Sequence, residues 1–455
     1  MPPHSGTIQT DDRRWWALAV LCLALCVIVI DNTILNVAVP TLRRELHADE
    51  TDLQWVTTAY ALTLSGLLLP LGVLGDRFGR RRLLLAGLVI FAGASAAAAF
   101  TSSPGQLAIA RGVMGVGGAA SMPATLSILG NIFSEAERGR AIALWSGTAG
   151  IAAALGPVVG GVLLSRFWWG SVFLVNVPVA IVTIGAVITL VPRSRATLSR
   201  PIDTPGAALW AGSLALLLFA IIEGPVRGWG SVPVLAAFGA AGTLLLLFGR
   251  RERNAVAPML APASARHPGM RAGAATVLGV FFALFGTQFV LTQWLQGPEH
   301  LGPLAAGLCF VPFALSSVAT SWFNPSLARR LGHRAVIIGG LPLMVAALVL
   351  ASVAVSGHAV VLTVVALAVL GAGSGTALPS GVEMIMTSAP PAQAGSAAGV
   401  HETIVEAGGG LGVAVLGSAL AAGAGFSEPL LLGAAGVVVA TLIVAGVLRR
   451  TSVSR

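Results

Sequence analysis

Apolar stretches long enough to cross a lipid bilayer recur along almost the whole chain, and short polar or glycine-rich breaks separate them. Each stretch predicts a transmembrane helix, because charged residues hardly interrupt it. Fourteen can be marked, with approximate bounds 16–39, 53–74, 83–100, 105–132, 140–165, 171–191, 205–222, 232–249, 272–296, 303–326, 335–356, 359–388, 395–424 and 428–448. The pattern predicts an all-α integral membrane protein.

The fourteen spans fall into blocks of six, two and six, because two basic, proline-containing connectors separate them, Arg193 to Pro205 and Arg250 to Arg271. We predict a six-helix bundle over residues 1–200, an inserted transmembrane hairpin with its cytoplasmic linker over 201–265, and a second six-helix bundle over 266–455. The connectors isolate the hairpin between the bundles. A faint repeat supports duplication, since ARRLGHR (Ala328 to Arg334) holds in the second block the place of GDRFGRR in the first.

The distribution of arginine predicts how the chain lies in the membrane. All 27 basic residues are Arg, and 22 of them lie on the side of the termini once an even number of spans is assumed. Because positive residues collect on the cytoplasmic side, we predict a multi-pass protein of the cytoplasmic membrane with both termini in the cytoplasm. The net charge of +9 then reflects loops that face anionic lipid, and we infer no nucleic-acid partner from it.

Composition narrows the class of protein. Hydrophobic residues make up 56% of the chain and charged residues 10%. Cys22, Cys26 and Cys309 all lie inside apolar stretches, so we expect neither a disulfide framework nor a metal site. The sequence has no GxxxxGK loop and no Cys/His or Ser/His constellation outside the spans, so ATP drive and enzymatic catalysis are not expected. The first apolar run lacks a small-residue cleavage site and is interpreted as a retained helix.

The break between the second and third spans is the most informative polar segment, with the sequence GVLGDRFGRRR (Gly72 to Arg82). Gly75 and Gly79 permit a tight reversal, and Asp76 can accept hydrogen bonds from backbone N–H groups at a helix start. Either the loop only sets the orientation of the chain, or it also controls a conformational change. In the second case the candidate gating residues are Gly72, Gly75, Asp76, Arg77, Gly79 and Arg80.

A second glycine-rich segment interrupts the fifth span, with the sequence GTAGIAAALGPVVGG (Gly147 to Gly161). Small residues let a helix pack closely, and a proline frees a carbonyl group and bends the helix. Close packing alone is one interpretation of the pattern. The other is a functional bend, and its candidate residues are Gly147, Gly156, Pro157, Gly160 and Gly161.

These two motifs and several others resemble those of the major facilitator superfamily, and within it the fourteen-helix drug:proton antiporters. IDNTILNVAVP (Ile30 to Pro40) is similar to the first-helix motif of that branch, and LAIARGVMGVGGAA (Leu107 to Ala120) to a fourth-helix motif built on a buried Arg. FWWGSVFLVNVPVA (Phe167 to Ala180) and QGPEHLGPLAAGLCFVP (Gln296 to Pro312) also look similar to the family. The resemblance covers essentially the whole chain.

The resemblance implies the major facilitator fold, with two six-helix bundles, an inserted two-helix hairpin and transport by alternating access. It also implies that Gly72 to Arg82 forms a latch between the bundles. The bend at Pro157 would seal the cavity against ion leak and favour exchange over uptake.

Two charged residues of the spans carry the mechanistic hypothesis. Asp31 and Arg111 lie at matching depths, roughly 12 and 9 Å below the outer surface at about 1.5 Å per residue. A charge in mid-bilayer costs on the order of 2.5 to 3.5 kcal/mol, so it persists mainly where it has a partner or a watery cavity. In the resembled superfamily the first and fourth helices line the cavity, so we hypothesise that the pair interacts and couples transport to protonation of Asp31. A static ion pair for helix packing is the alternative.

A pair of acidic residues in span thirteen is the second candidate for proton coupling. Glu402 and Glu406 are four residues apart and share one helix face. Two carboxylates about 6 Å apart in low dielectric do not both ionise easily, which suits a proton carrier. The alternative is structural polar packing. His401 should point about 100° away and act as a packing or interfacial residue, and Glu383 is a weaker candidate that reaches water.

The remaining polar residues of spans one and nine are expected to line a substrate cavity together with the acidic residues. Aromatic rings near carboxylates suit lipophilic cations. The predicted cavity comprises Asp31, Asn32, Asn36, Gln288, Gln293, Glu402 and Glu406.

We therefore expect a proton-driven exporter without a cofactor, which moves lipophilic cationic or neutral drug-like compounds and functions as a monomer. A dedicated exporter of one antibiotic made by the host cell is an alternative. A membrane sensor that moves no solute is another, although long soluble domains are missing. Uptake symport is disfavoured by the GPVVGG segment.

Overall fold

Helices account for every regular element in the residues that the structure, a computed structural model, describes. These residues are 11–133, 135–192, 203–254, 266–388 and 394–452. The first six-span block contains α1 (Asp11–Glu45), α2 (Glu50–Phe78), α3 (Arg80–Ala99), α4 (Pro104–Ile132), α5 (Glu135–Arg166), α6 (Ser171–Leu174) and α7 (Asn176–Leu190). The hairpin consists of α8 (Thr204–Arg227) and α9 (Val232–Asn254).

The second block repeats the architecture of the first. It contains α10 (Pro268–Gln296), α11 (Pro303–Leu308), α12 (Val311–Leu331), α13 (His333–Ser356), α14 (Val360–Thr387), α15 (Ala394–Ala421) and α16 (Ser427–Ser452). The middles of both predicted connectors, residues 193–202 and 255–265, lie outside the described residues. Two predicted spans are each divided in two, the sixth at Val175 and the tenth at Cys309 and Phe310.

Twelve helical segments of the described residues are long and apolar enough to cross a membrane, when α6 and α7 count as one segment and α11 and α12 as another. The all-α membrane class predicted from the sequence is therefore confirmed. Two further long helices are not among these twelve, α2 with 29 residues and α5 with 32 residues.

Glycine at a helix junction sets the two shortest turns. α2 ends at Phe78 and α3 begins at Arg80, so the reversal uses Gly79 alone, with φ of 102°. A side chain would be strained there, because this region of φ favours glycine. The matching turn of the second block likewise uses Gly332 alone, with φ of 80°.

Part of the predicted Gly72 to Arg82 turn was wrong. Gly75 and Asp76 lie inside α2, so the reversal itself is made at Gly79 and Asp76 stands near a helix end instead of a helix start. The helical backbone of α2 continues through them, and the N–H group of Gly79 still donates to the carbonyl oxygen of Gly75 at 2.9 Å. Nothing further is described of Gly72 or of the side chains of Asp76 and Arg77.

Packing joins the helices into two bundles. In the first, α4 packs on α2 and α3, while α1 packs on α5 and α7. In the second, α14 packs on α12 and α13, while α10 packs on α14, α15 and α16. The bundles meet where α2 lies against α15, α1 against α10, and α5 against α11.

The hairpin packs against both bundles. Its helix α8 packs against α2 and α15, one helix from each bundle. The indole Nε1 of Trp55 on α2 donates to Glu223 Oε1 on α8 at 3.1 Å. Ser418 Oγ on α15 donates to the carbonyl oxygen of Ile221 at 2.7 Å. The α8 helix therefore covers the seam between α2 and α15.

Candidate functional site

A buried ion pair between α1 and α4 forms the centre of the site. Arg111 Nη1 donates to Asp31 Oδ2, and the two side chains are 0% and 1% exposed. Each charge loses its hydration by burial, and only a close partner offsets that cost. The structure therefore brings together the two residues that the sequence placed at matching depths.

Two further helices hold the aspartate. Asn176 Nδ2 at the start of α7 donates to Asp31 Oδ1 at 2.6 Å and is 3.1 Å from Ser95 Oγ on α3. Ser95 Oγ in turn donates to the carbonyl oxygen of Phe173 at 2.8 Å. Both carboxylate oxygens of Asp31 thus have donors, and α1, α3, α4 and α7 are tied together at one point.

Sequence reasoning missed Asn176 and Ser95. Asn176 lies within the quoted segment Phe167 to Ala180, and its polar side chain in an apolar run was a usable signal. Ser95 gave none, because a hydroxyl group in a helix usually bonds its own backbone.

One acidic residue of α15, Glu406, interacts with the charge of this pair from the other bundle. Glu406 is 8% exposed and lies close enough to Glu402 and Arg111 for both charges to act on its carboxyl group. Glu402 is partly exposed, with its Oε1 at 3.5 Å from His401 Nδ1. His401 and Glu402 are adjacent in the helix, and their long side chains meet at their ends although they leave the helix about 100° apart. Glu383 is more than half exposed, at 3.6 Å from His333, as expected for a residue that reaches water.

The amide residues predicted to line a cavity divide into two groups. Asn32 and Gln288 are partly exposed, whereas Asn36 is buried, with its Nδ2 donating to the carbonyl oxygen of Asn32 at 3.3 Å. The Oδ1 atom of Asn36 is buried without a hydrogen-bond partner. Gln293 was also predicted to line the cavity; it is buried near the end of α10, where its amide bonds to Arg43 and Glu50 of the first bundle.

Gln293 belongs to a cluster that joins the two bundles, which we call the distal clasp and define as Arg43, Glu50 and Gln293. Arg43 pairs with Glu50, and Arg43 Nη2 also donates to Gln293 Oε1 at 2.8 Å. Gln293 Nε2 donates to Glu50 Oε1 at 2.9 Å, which closes the ring of contacts. We call this end of the molecule, where α1 ends, the distal face, and the opposite end, where α1 begins, the terminal face.

Further contacts close the distal face beside the clasp. Gln296 Nε2 on α10 donates to the carbonyl oxygen of Val37 on α1 at 2.9 Å. Ser418 Oγ on α15 lies 3.3 Å from Gln54 Oε1 on α2. The described hydrogen bonds between the bundles therefore lie on the distal side of the buried ion pair.

Replacing Gln293 with alanine should loosen the distal face. The change removes two hydrogen bonds between the bundles, about 1–3 kcal/mol together, and should favour the distally open state about tenfold. The measurement is maleimide labelling of Ser418→Cys, buried in the seam, in a background without native cysteines. Gln106→Ala is the control, because the side chain of Gln106 bonds only to the nearby Ser102 in the described contacts. Equal labelling rates in the two variants would show that the clasp does not hold the face.

The glycines of α5 permit two kinds of close contact. A Cβ atom on Gly156 would lie 1.8 Å from Thr33 Oγ1, and one on Gly160 would lie 3.3 Å from the carbonyl oxygen of Ile34, so both pack α5 on α1. On Gly161 it would lie 2.6 Å from Leu304 Cα, in the other bundle. Pro157 is buried at the same interface, and its carbonyl oxygen would lie 2.4 Å from a Cβ on Gly307. Gly147 lies in the same helix, in a part whose surroundings are not described.

The arginines beyond Gly79 bond within the first bundle in the contacts described. Arg80 Nη1 donates to the carbonyl oxygen of Ser127 on α4 at 3.0 Å, and Arg81 Nη2 donates to that of Ile188 on α7. Gly75 packs closely on Leu83, whose Cδ2 would lie 3.0 Å from an added Cβ. These contacts fix α3 to its neighbours at the terminal face.

Comparison with known proteins gives one family. A family model described as Major Facilitator Superfamily matches residues 21–413 and 273–455. The chain is 36% identical over 417 residues to the multidrug efflux pump LfrA of Mycolicibacterium smegmatis, covering 91% of this chain and 82% of that protein. It is 35% identical over 425 residues to the puromycin resistance protein pur8 of Streptomyces alboniger, covering 91% and 84%.

A solved structure matches the whole fold at low sequence identity. The POT family transporter PepTSo superposes with a TM-score of 0.71 at 15% identity, covering 97% of this chain and 99% of that one. The likeness concerns the arrangement of helices alone.

Proposed function

This chain belongs to the Major Facilitator Superfamily, and on that premise we propose that it is a proton-coupled exporter of lipophilic, cationic or neutral drug-like compounds. The observation that carries the proposal is the fully buried pair of Asp31 and Arg111, faced by Glu406 from the other bundle. The relatives named as a multidrug efflux pump and a puromycin resistance protein support export of small molecules.

We propose fourteen transmembrane helices, obtained by adding α2 and α5 to the twelve segments that meet the length and hydropathy test. The even number and the arginine distribution support a cytoplasmic terminal face. The distal face is then extracellular, and the distal clasp would close the outer side of the cavity. The structure would correspond to the inward-facing half of an alternating-access cycle.

The proposed coupling begins at Asp31. While it is ionised, its attraction holds the Arg111 guanidinium and ties α1 to α4. Protonation removes that attraction, so the guanidinium is left to interact with Glu406 or with the groups of a bound compound. The movement of protons supplies the energy, because each charge that crosses 100 mV releases roughly 2.3 kcal/mol, about fiftyfold in concentration.

Glu406 and Glu402 would bind the exported compound in this exchange. A lipophilic cation that enters from the terminal face meets a buried carboxylate on α15, and a proton competes with it for that group. Asn32 and Gln288 would add hydrogen bonds from α1 and α10. No cofactor is needed, since the proton gradient is the only driving force in this scheme.

Glu406→Gln should reduce export of a monocationic dye at least tenfold, because the variant keeps the shape of the side chain and loses its charge. Export would be measured as the initial rate of ethidium efflux from energised cells. Glu383→Gln is the matched control, because that carboxylate is exposed and paired with His333 near the terminal face. An efflux rate for Glu406→Gln equal to that of the control would remove Glu406 from the site.

The proposal itself is tested by expressing the chain in an efflux-deficient host and measuring ethidium accumulation. Accumulation should be low with the chain and should rise to the level of empty-vector cells when a protonophore is added. Export that persists with the protonophore would contradict proton coupling. Accumulation unchanged by the chain would favour the membrane sensor.

A narrower function also has support. The similarity to the puromycin resistance protein favours a dedicated exporter of one antibiotic as the second candidate. A resistance screen separates the two, because a broad exporter protects against several unrelated cationic compounds and a dedicated exporter against one.

A further inference from the structure

Tyr60 is the single tyrosine of the chain, and it is fully buried on α2 beside the ion pair. The centre of its ring lies 4.5 Å from Arg111 Cζ, so the guanidinium stacks over the aromatic face. Attraction between a cation and an aromatic face is strongest where water is excluded. The ring therefore stabilises the guanidinium on a side that Asp31 does not contact.

Two glycines of α4 permit this approach of α2, and a hydrogen bond at a third supports it. A Cβ on Gly115 would lie 2.6 Å from the carbonyl oxygen of Tyr60, and one on Gly118 would lie 2.9 Å from the Tyr60 hydroxyl. At Gly112, Thr63 Oγ1 donates to the carbonyl oxygen at 2.8 Å. The stripe of small residues after Arg111 thus brings the ring under the guanidinium.

Hydrogen bonds in the structure engage only one of the three nitrogen atoms of the Arg111 guanidinium. Arg111 Nη1 donates to Asp31, whereas Nε and Nη2 are buried without a hydrogen-bond partner. The Tyr60 hydroxyl is buried and unpartnered as well. The contact between the two residues is therefore made by the aromatic face and not by the hydroxyl group.

We propose that Tyr60 is a positioning residue whose aromatic face holds the Arg111 guanidinium against Asp31 during the proton cycle. This inference rests on the proposed proton-coupled export. The charged or titratable groups that face the pair are Tyr60 from α2 and Glu406 from α15, with Glu402 beyond it. Of the other packed helices, α3 and α7 supply Ser95 and Asn176, which do not titrate.

Tyr60→Leu should slow ethidium export about tenfold and move the midpoint of its pH profile upward by about one unit. The reason is that a carboxyl group that loses a close cation keeps its proton to higher pH. Tyr60→Phe keeps the aromatic face and should export with the wild-type rate and midpoint. Phe91→Leu is the packing control, because Phe91 is equally buried but lies against Gly117, on α4 away from the guanidinium.

The variants separate the possible failures. If Tyr60→Leu and Phe91→Leu slow export equally with an unchanged midpoint, Tyr60 only fills space and the inference is wrong. A Tyr60→Phe variant that behaves like Tyr60→Leu would assign the role to the hydroxyl and also overturn the inference. A wild-type chain whose export ignores the protonophore would instead overturn the proposed function. Membrane abundance of each variant, measured by immunoblot, normalises the rates and excludes loss of folding as the cause.

Discussion

Asp31→Asn should abolish proton-coupled export, reducing ethidium efflux to the level of cells without the chain. Asparagine fills the same space but neither takes up nor releases a proton. It also leaves the Arg111 guanidinium beside a neutral amide. Water cannot compensate the charge, because the native pair is almost completely shielded from solvent. Retained export by Asp31→Asn at the wild-type abundance would remove the carboxyl group from the mechanism.

The same substitution should lower stability, which a second variant separates from the loss of coupling. Removing one partner of a buried ion pair costs about 3–5 kcal/mol, because the other charge stays without compensation. The double variant Asp31→Asn with Arg111→Gln removes both charges and should recover thermal stability in detergent. It should not recover export. Recovery of both properties would mean that the pair only supports packing.

Gly161→Ala should block transport, because the added methyl group prevents α5 and α11 from packing closely at the distal face. The added Cβ would lie 2.6 Å from Leu304 Cα and 2.9 Å from the carbonyl oxygen of Pro303, and backbone atoms cannot move aside as a side chain can. The clash exists only while α5 lies against α11. The variant should therefore fold, avoid the distally closed state and export at less than a tenth of the wild-type rate.

Thiol labelling reports the trapped state directly. Ser418→Cys in the Gly161→Ala background should react with an impermeant maleimide from outside the cell, whereas the same cysteine in the wild-type background should be protected. Gly185→Ala is the control, because nothing lies within 4 Å of an added Cβ there. Protection of Ser418→Cys in both glycine variants would contradict the view that close approach at Gly161 is needed for closure.

The helices and the central ion pair could be predicted because membrane insertion imposes strong rules. Long apolar runs must be helical in lipid, and charges inside them need partners, so charge and depth singled out Asp31 and Arg111. The resemblance to a family whose first and fourth helices line the cavity suggested that the two interact. The turn at Gly79 was found for a similar reason, since glycine and arginine at the lipid surface indicate a reversal. Its length was not, because Gly75 and Asp76 fit a helix as well as a turn.

Contacts between helices that are far apart along the chain could not be predicted from the sequence. Gln293 was assigned to the cavity because it is polar within a span, but its partners Arg43 and Glu50 lie about 250 residues away along the chain. The pairing depends on how the two bundles meet. Tyr60 was missed for the same reason, since its contact with Arg111 requires the close packing of α2 and α4.

The position of the hairpin could not be predicted from the sequence either, because packing determines it. Basic connectors indicated an insertion, and they carry no information about which helices it touches. The contacts of Glu223 with Trp55 and of Ile221 with Ser418 place α8 over the seam between α2 and α15. In the proposed alternating-access cycle, a helix there has to adapt when the bundles move.

The coupling at Asp31 is tested most directly in liposomes that contain the purified protein and a trapped pH-sensitive dye. The dye records the proton movement that the transported compound drives. An imposed ethidium gradient should drive protons in the opposite direction through the wild-type protein, and the signal should vanish with Asp31→Asn at equal protein content. A pH change of the same size in both preparations would contradict coupling through Asp31.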